Sequence, residues 1–164
     1  MADLAVIGCG NLNRCDDGVG VVVAHQLMHY RNQYSQSKVS IFDAGTGGMD
    51  VMFRARGASQ LVLIDASRNG SEPGAIFRVP GEELARDYNP TFSLHDFRWD
   101  HALYAGRRIF GASFPTDITV FLIEGATFDL GTQLSEPVQR AADRVCSEIT
   151  GIIEQHLAPA RRPV

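Results

Sequence analysis

The sequence predicts an α/β fold, a three-layer α/β/α sandwich around a mostly parallel sheet. Three observations predict it. Short aliphatic runs recur along the chain with helix-periodic segments between them. Residues 61–64 are apolar at every position, as suits a central strand covered on both faces. The chain has 164 residues, 45% hydrophobic and 21% charged, which fits one compact domain with a substantial core. That domain is expected over residues 1–157, followed by a flexible Pro- and Arg-containing tail at 158–164.

The elements follow in order. Residues 4–7 form a first strand that ends at the turn signal Gly8-Cys9-Gly10-Asn11. After Cys15-Asp16-Asp17, Val19, Val23 and Leu27 repeat at helical spacing, and either aspartate can cap that helix at its positive end. Gly18 and Gly20 weaken the helix start but allow backbone or substrate to approach closely. Residues 39–42 form a second strand leading into Asp43-Ala44-Gly45-Thr46-Gly47-Gly48, with a helix over about 49–56. The third strand, 61–64, ends at Asp65. A polar loop from 67 to 74 precedes a strand over 75–79, and residues 81–91 read as irregular or briefly helical, with Pro90 ending the stretch. Ser93 is placed to cap a helix through Trp99 and Leu103 towards Phe110. A last strand covers 118–123. In the final helix Leu134, Val138, Ala141, Val145, Ile149, Ile152 and Ile153 make one apolar stripe, with Ser135 and Pro137 suited to its first turn.

Charge and composition exclude several function classes. The net charge of −4 without a basic run argues against nucleic acid, which needs clustered Lys and Arg. No apolar segment reaches the roughly 20 residues that span a bilayer, so no membrane insertion is expected. Met1-Ala2-Asp3 lacks the positive start of a secretory signal, and three cysteines without a CxxC pair read as reduced thiols. The expected location is the cytoplasm. Gly8-Cys9-Gly10 hints at a dinucleotide fold, but position 13 is Asn, so no nucleotide cofactor is expected. P-loop, HExxH and GxSxG sequences are absent. His25 and His29 lie i,i+4 apart without an obvious third ligand, and read as a solvated helix face.

The chemistry concentrates where strands end. In open α/β sheets, ligands collect at the carboxyl edge of the strands. The first strand leads to Asp16 and Asp17, the second to Asp43 and the third to Asp65, and His95 opens a later helix. Several carboxylates and one imidazole on one rim suit a divalent metal, with positions left for water or substrate. Singly, each has a plainer reading. Asp17 serves as a cap, Asp43 fixes a turn and His95 makes a structural hydrogen bond. Asp65 is harder to dismiss, because a carboxylate ending an apolar strand costs desolvation unless paired or ligating.

Gly8-Cys9-Gly10-Asn11 followed by Asp16-Asp17-Gly18-Val19-Gly20 resembles the opening signature of the nickel-iron hydrogenase maturation endopeptidases. Asp43-Ala44-Gly45-Thr46, Leu63-Ile64-Asp65-Ala66 and Ser93-Leu94-His95 are similar to that family's later motifs. So is the stretch from Asp129-Leu130-Gly131 to Leu134-Ser135-Glu136-Pro137-Val138. The resemblance covers nearly the whole chain. It implies a hydrolase that removes the C-terminal extension of a hydrogenase large-subunit precursor after nickel insertion. It also implies that Asp17, Asp65 and His95 recognise nickel presented by the substrate, making nickel a checkpoint rather than a resident cofactor. Asp16 and Asp43 are the candidates for catalytic or orienting roles, in a metal-assisted or aspartyl-type hydrolysis. The alternative is a nickel-binding maturation chaperone that uses the same rim without cutting. After His95 the family tends to an apolar residue and a glycine, where this chain carries Asp96-Phe97-Arg98-Trp99.

Overall fold

A computed structural model of the chain describes residues 3–30, 38–81 and 99–159. In chain order it contains β1 (Leu4–Cys9), a 3-10 turn (Cys15–Gly18), α1 (Val19–His29), β2 (Val39–Gly45), α2 (Gly48–Ala55), β3 (Gln60–Ser67) and β4 (Ile76–Pro80). Then come α3 (Trp99–Phe110), β5 (Asp117–Glu124) and α4 (Glu136–Leu157). The strands form one sheet in the order β2-β1-β3-β5-β4. Neighbours β1/β2, β1/β3 and β3/β5 are parallel, and β4 lies antiparallel on β5 at the edge.

Side-chain alternation along the strands explains the layers. Leu4, Val6, Val62, Ile64, Phe121 and Ile123 face α1 and α4, whereas Ala5, Ile7, Leu61, Leu63 and Val120 face α2 and α3. All six residues of β1 are buried, as a strand with helices on both faces requires. The expected stripe of α4 docks through Val138, Ala141, Val145, Ile149 and Ile153, all fully buried or nearly so. Each large aliphatic there stabilises the fold by roughly 1.5–3 kcal/mol.

The strands run past the apolar segments that announce them. β1 continues through Gly8 and Cys9, and β3 through Asp65 to Ser67, because the backbone ladder extends regardless of side-chain polarity. Neither Asp16 nor Asp17 caps α1. Both lie in the 3-10 turn, and Gly18 takes the N-cap position without a side-chain bond. The close approach anticipated at Gly20 is one of backbone to backbone. A Cβ there would strike the carbonyl oxygens of Ile64 and Cys9, so α1 rests directly on β1 and β3. α3 begins at Trp99 among the described residues, while Ser93, His95 and most of the 81–91 segment lie outside them.

Candidate functional site

The strand order places a topological switch between β1 and β3. The chain leaves β1 towards β2 on one side, then crosses back to β3 on the other. A crevice opens at such a switch point beyond the carboxyl ends of the strands. Here it is a cleft of about 600 Å³. Asp17 and Asp65 both line it, the first from the turn after β1 and the second from the end of β3. Gly45, Gly47 and Gly48 form one wall, Arg14, Arg68 and Phe128 line it as well, and Cys9 and Trp99 complete much of the rest.

Each aspartate is held differently. The half-buried Asp17 accepts the Asn11 N–H at 3.0 Å through Oδ2, and its Oδ1 has no hydrogen bond among the described residues. Asp65 is 8% exposed, and its Oδ1 accepts the N–H of Ala66 at 2.8 Å. Asp17 and Asp65 therefore present oxygen donors to one cleft. Among the described residues no three His, Cys, Asp or Glu side chains gather closely enough to hold a metal alone. Carboxylate oxygens of this kind are donors that a divalent cation accepts.

Asp16 and Asp43 stand apart from the cleft lining. Asp16 is fully buried. Its Oδ2 accepts the N–H groups of Ala126 and Thr127 at 2.8 and 3.1 Å and the Ser135 hydroxyl at 2.8 Å, while Oδ1 accepts the Ser135 N–H at 2.7 Å. With both oxygens engaged, it fastens the segment between β5 and α4 to the turn after β1. Asp43 accepts the Gly45 N–H at 2.8 Å, which fixes the turn. Its other oxygen meets Nε2 of His25 at 2.8 Å, so the solvated face expected of His25 carries a partner from the next strand.

Glu124 escaped the sequence reading although it shares the signal that singled out Asp65, a carboxylate ending an apolar strand. It is 2% exposed. It accepts the Ser67 hydroxyl at 2.9 Å and the N–H groups of Asn69 and Gly70 at 2.9 and 3.1 Å, tying down the loop after β3. Buried carboxylates of this kind are stable only when such donors satisfy them.

Comparison with known proteins agrees with this architecture. The family model for hydrogenase maturation protease, HycI, matches residues 21–152. The chain is 37% identical over 84 residues to the hydrogenase expression/formation protein HupD of Thiocapsa roseopersicina, a match covering 51% of this chain and 37% of that protein. It is 26% identical over 158 residues to a Methanocaldococcus jannaschii protein provisionally named a hydrogenase maturation protease, covering 93% of this chain and 97% of that one. Among solved structures, the hydrogenase maturating endopeptidase HybD from Escherichia coli superposes with a TM-score of 0.73 at 20% identity, over 94% of this chain and 93% of that one. At that identity the likeness speaks to the fold alone.

Proposed function

The chain belongs to the hydrogenase maturation protease family, and from that premise we propose that it is an endopeptidase that trims the C-terminal extension of a nickel-loaded hydrogenase large-subunit precursor. The observation that carries this reading is the pair Asp17 and Asp65, set on either side of a topological switch and lining one cleft. In this reading the nickel is part of the substrate, held by the precursor's own cysteines. Asp17, Asp65 and His95 supply protein donors that recognise it; His95 lies outside the described residues and enters by the resemblance of its motif.

The chain's own residues would divide the work. The glycine wall at Gly45, Gly47 and Gly48 leaves room for an extended segment beside the metal-recognising carboxylates. Asp16 and Asp43 act as orienting residues, the first by fixing the loop after β5 and the second by fixing the loop after β2. Holding the scissile bond beside recognised nickel lets positioning supply much of the rate.

Intact mass of a coexpressed precursor, with and without this protein at matched nickel loading, tests the reading. The expected result is a nickel-dependent loss of one C-terminal peptide, absent with Asp65→Asn or His95→Ala variants of unchanged melting temperature. An unchanged precursor mass with wild-type protein would replace the endopeptidase with a nickel-binding chaperone of the same fold.

A further inference from the structure

Arg68 is held more firmly than its exposed position suggests. The residues on either side of it are tied to the Glu124 carboxylate, through the Ser67 hydroxyl and the Asn69 and Gly70 N–H groups. Its guanidinium carbon lies 5.1 Å from the centroid of the Phe128 ring. Phe128 in turn belongs to the segment that Asp16 fastens at Ala126, Thr127 and Ser135. Two buried carboxylates, neither lining the cleft, thus fix both the backbone beside the arginine and its stacking partner. Arg14 reaches the cleft beside the same segment, where its backbone bridges to Gly131. Neither guanidinium pairs with a carboxylate among the described residues.

A stacked arginine on a pinned backbone presents its remaining N–H groups as a pre-set fork, the geometry that matches a carboxylate. The charge layout of the cleft agrees. Asp17 and Asp65 suit a cation, and they would repel an acidic segment unless cations stood elsewhere along its path. We propose that Arg68, seconded by Arg14, binds a carboxylate of the substrate segment lying in the cleft and so selects among precursors. This inference rests on the endopeptidase reading. Arg68 is a specificity residue that touches substrate away from the reacting atoms. The carboxylate has two sources, an acidic side chain near the scissile bond or the free C-terminus of the extension.

Steady-state processing of a nickel-loaded large-subunit precursor by wild type, Arg68→Ala and Arg68→Lys tests it. Arg68→Ala is expected to raise KM about tenfold with kcat within about twofold, as loss of one charge-assisted contact implies. KM should also lose part of its salt dependence. Arg68→Lys, which restores the charge without the fork, should recover part of both. Two altered precursors identify the carboxylate: one with acidic residues flanking the cut changed to amides, the other with an amidated C-terminus joined by ligation. The precursor whose KM no longer responds to Arg68→Ala carried it. If Arg68→Ala keeps the wild-type KM and salt slope while cutting proceeds, the inference is overturned and the endopeptidase stands. If wild-type protein leaves the precursor uncut, the endopeptidase reading falls and this inference falls with it.

Discussion

On one side of the cleft, residues 67–70 and 126–135 hang from two buried carboxylates, Glu124 and Asp16. On the other, the glycine wall at 45–48 follows Asp43, whose side chain is 33% exposed and whose partner His25 is 49% exposed. The difference is one of solvent. A carboxylate sealed among N–H donors gains nearly full-strength hydrogen bonds and leaves expensive orphans if removed. One that faces water exchanges its partner for solvent at little loss. The molecule therefore has a rigid flank and, across the cleft, a more yielding one.

Asp16→Ala should break this contrast most severely. It strands the part-buried donors of Ala126, Thr127 and Ser135 and should cost about 2–3 kcal/mol, lowering the urea midpoint and with it any processing. An Asp16→Ala protein as stable as wild type would mean that the two flanks are not differently built.

On the yielding flank, His25→Ala removes an exposed pair and should cost less than about 1 kcal/mol by the same measurement. A loss comparable to that of Asp16→Ala would overturn the assignment of flexibility to that side.

The smallest effect is expected remote from the cleft, at Cys146 on α4. Burial, with the neighbouring Asp143 carboxylate adding to it, pushes this thiol above its ordinary value. Folding thus favours the neutral thiol. Its contribution to stability is complete below the unfolded pKa and fades as pH rises through the folded one. Alkylation by iodoacetamide should therefore be slower in the folded protein than in urea near pH 9. Equal rates would place the thiol in water. Processing by Cys146→Ser should match wild type, which confines the rigid-flank effect to the carboxyl edge.

The sheet, its helices and the shared rim were legible in the letters, and the illegible part has a common cause. The apolar run at 61–64 and the stripe of α4 announce their elements because periodicity is a local property. Asp17 and Asp65 could be placed on one rim for a related reason, since strand ends in a parallel sheet share one edge. The division of labour between the adjacent Asp16 and Asp17 was not legible. It depends on which carboxylate meets Ala126, Thr127 and Ser135, more than a hundred positions away. The same holds for His25, whose partner Asp43 comes from another strand, and for Glu124, whose donors lie in the loop after β3. Sequence pattern reports faces and edges; it does not report pairings across the fold.

The fastening of Asp16 has a consequence for the order in which the molecule is made. Its donors lie 110, 111 and 119 residues further along the chain. A nascent chain that has emerged as far as β5 already carries Asp17 and Asp65, but nothing yet seats the turn between β1 and α1 against its far neighbour. All five strands precede those donors in the chain, so the contact forms only once β5 and the segment behind it have been made. The cleft is therefore completed from the C-terminal part of the chain, and a truncated translation product with every cleft aspartate in place would still lack the latch that sets them.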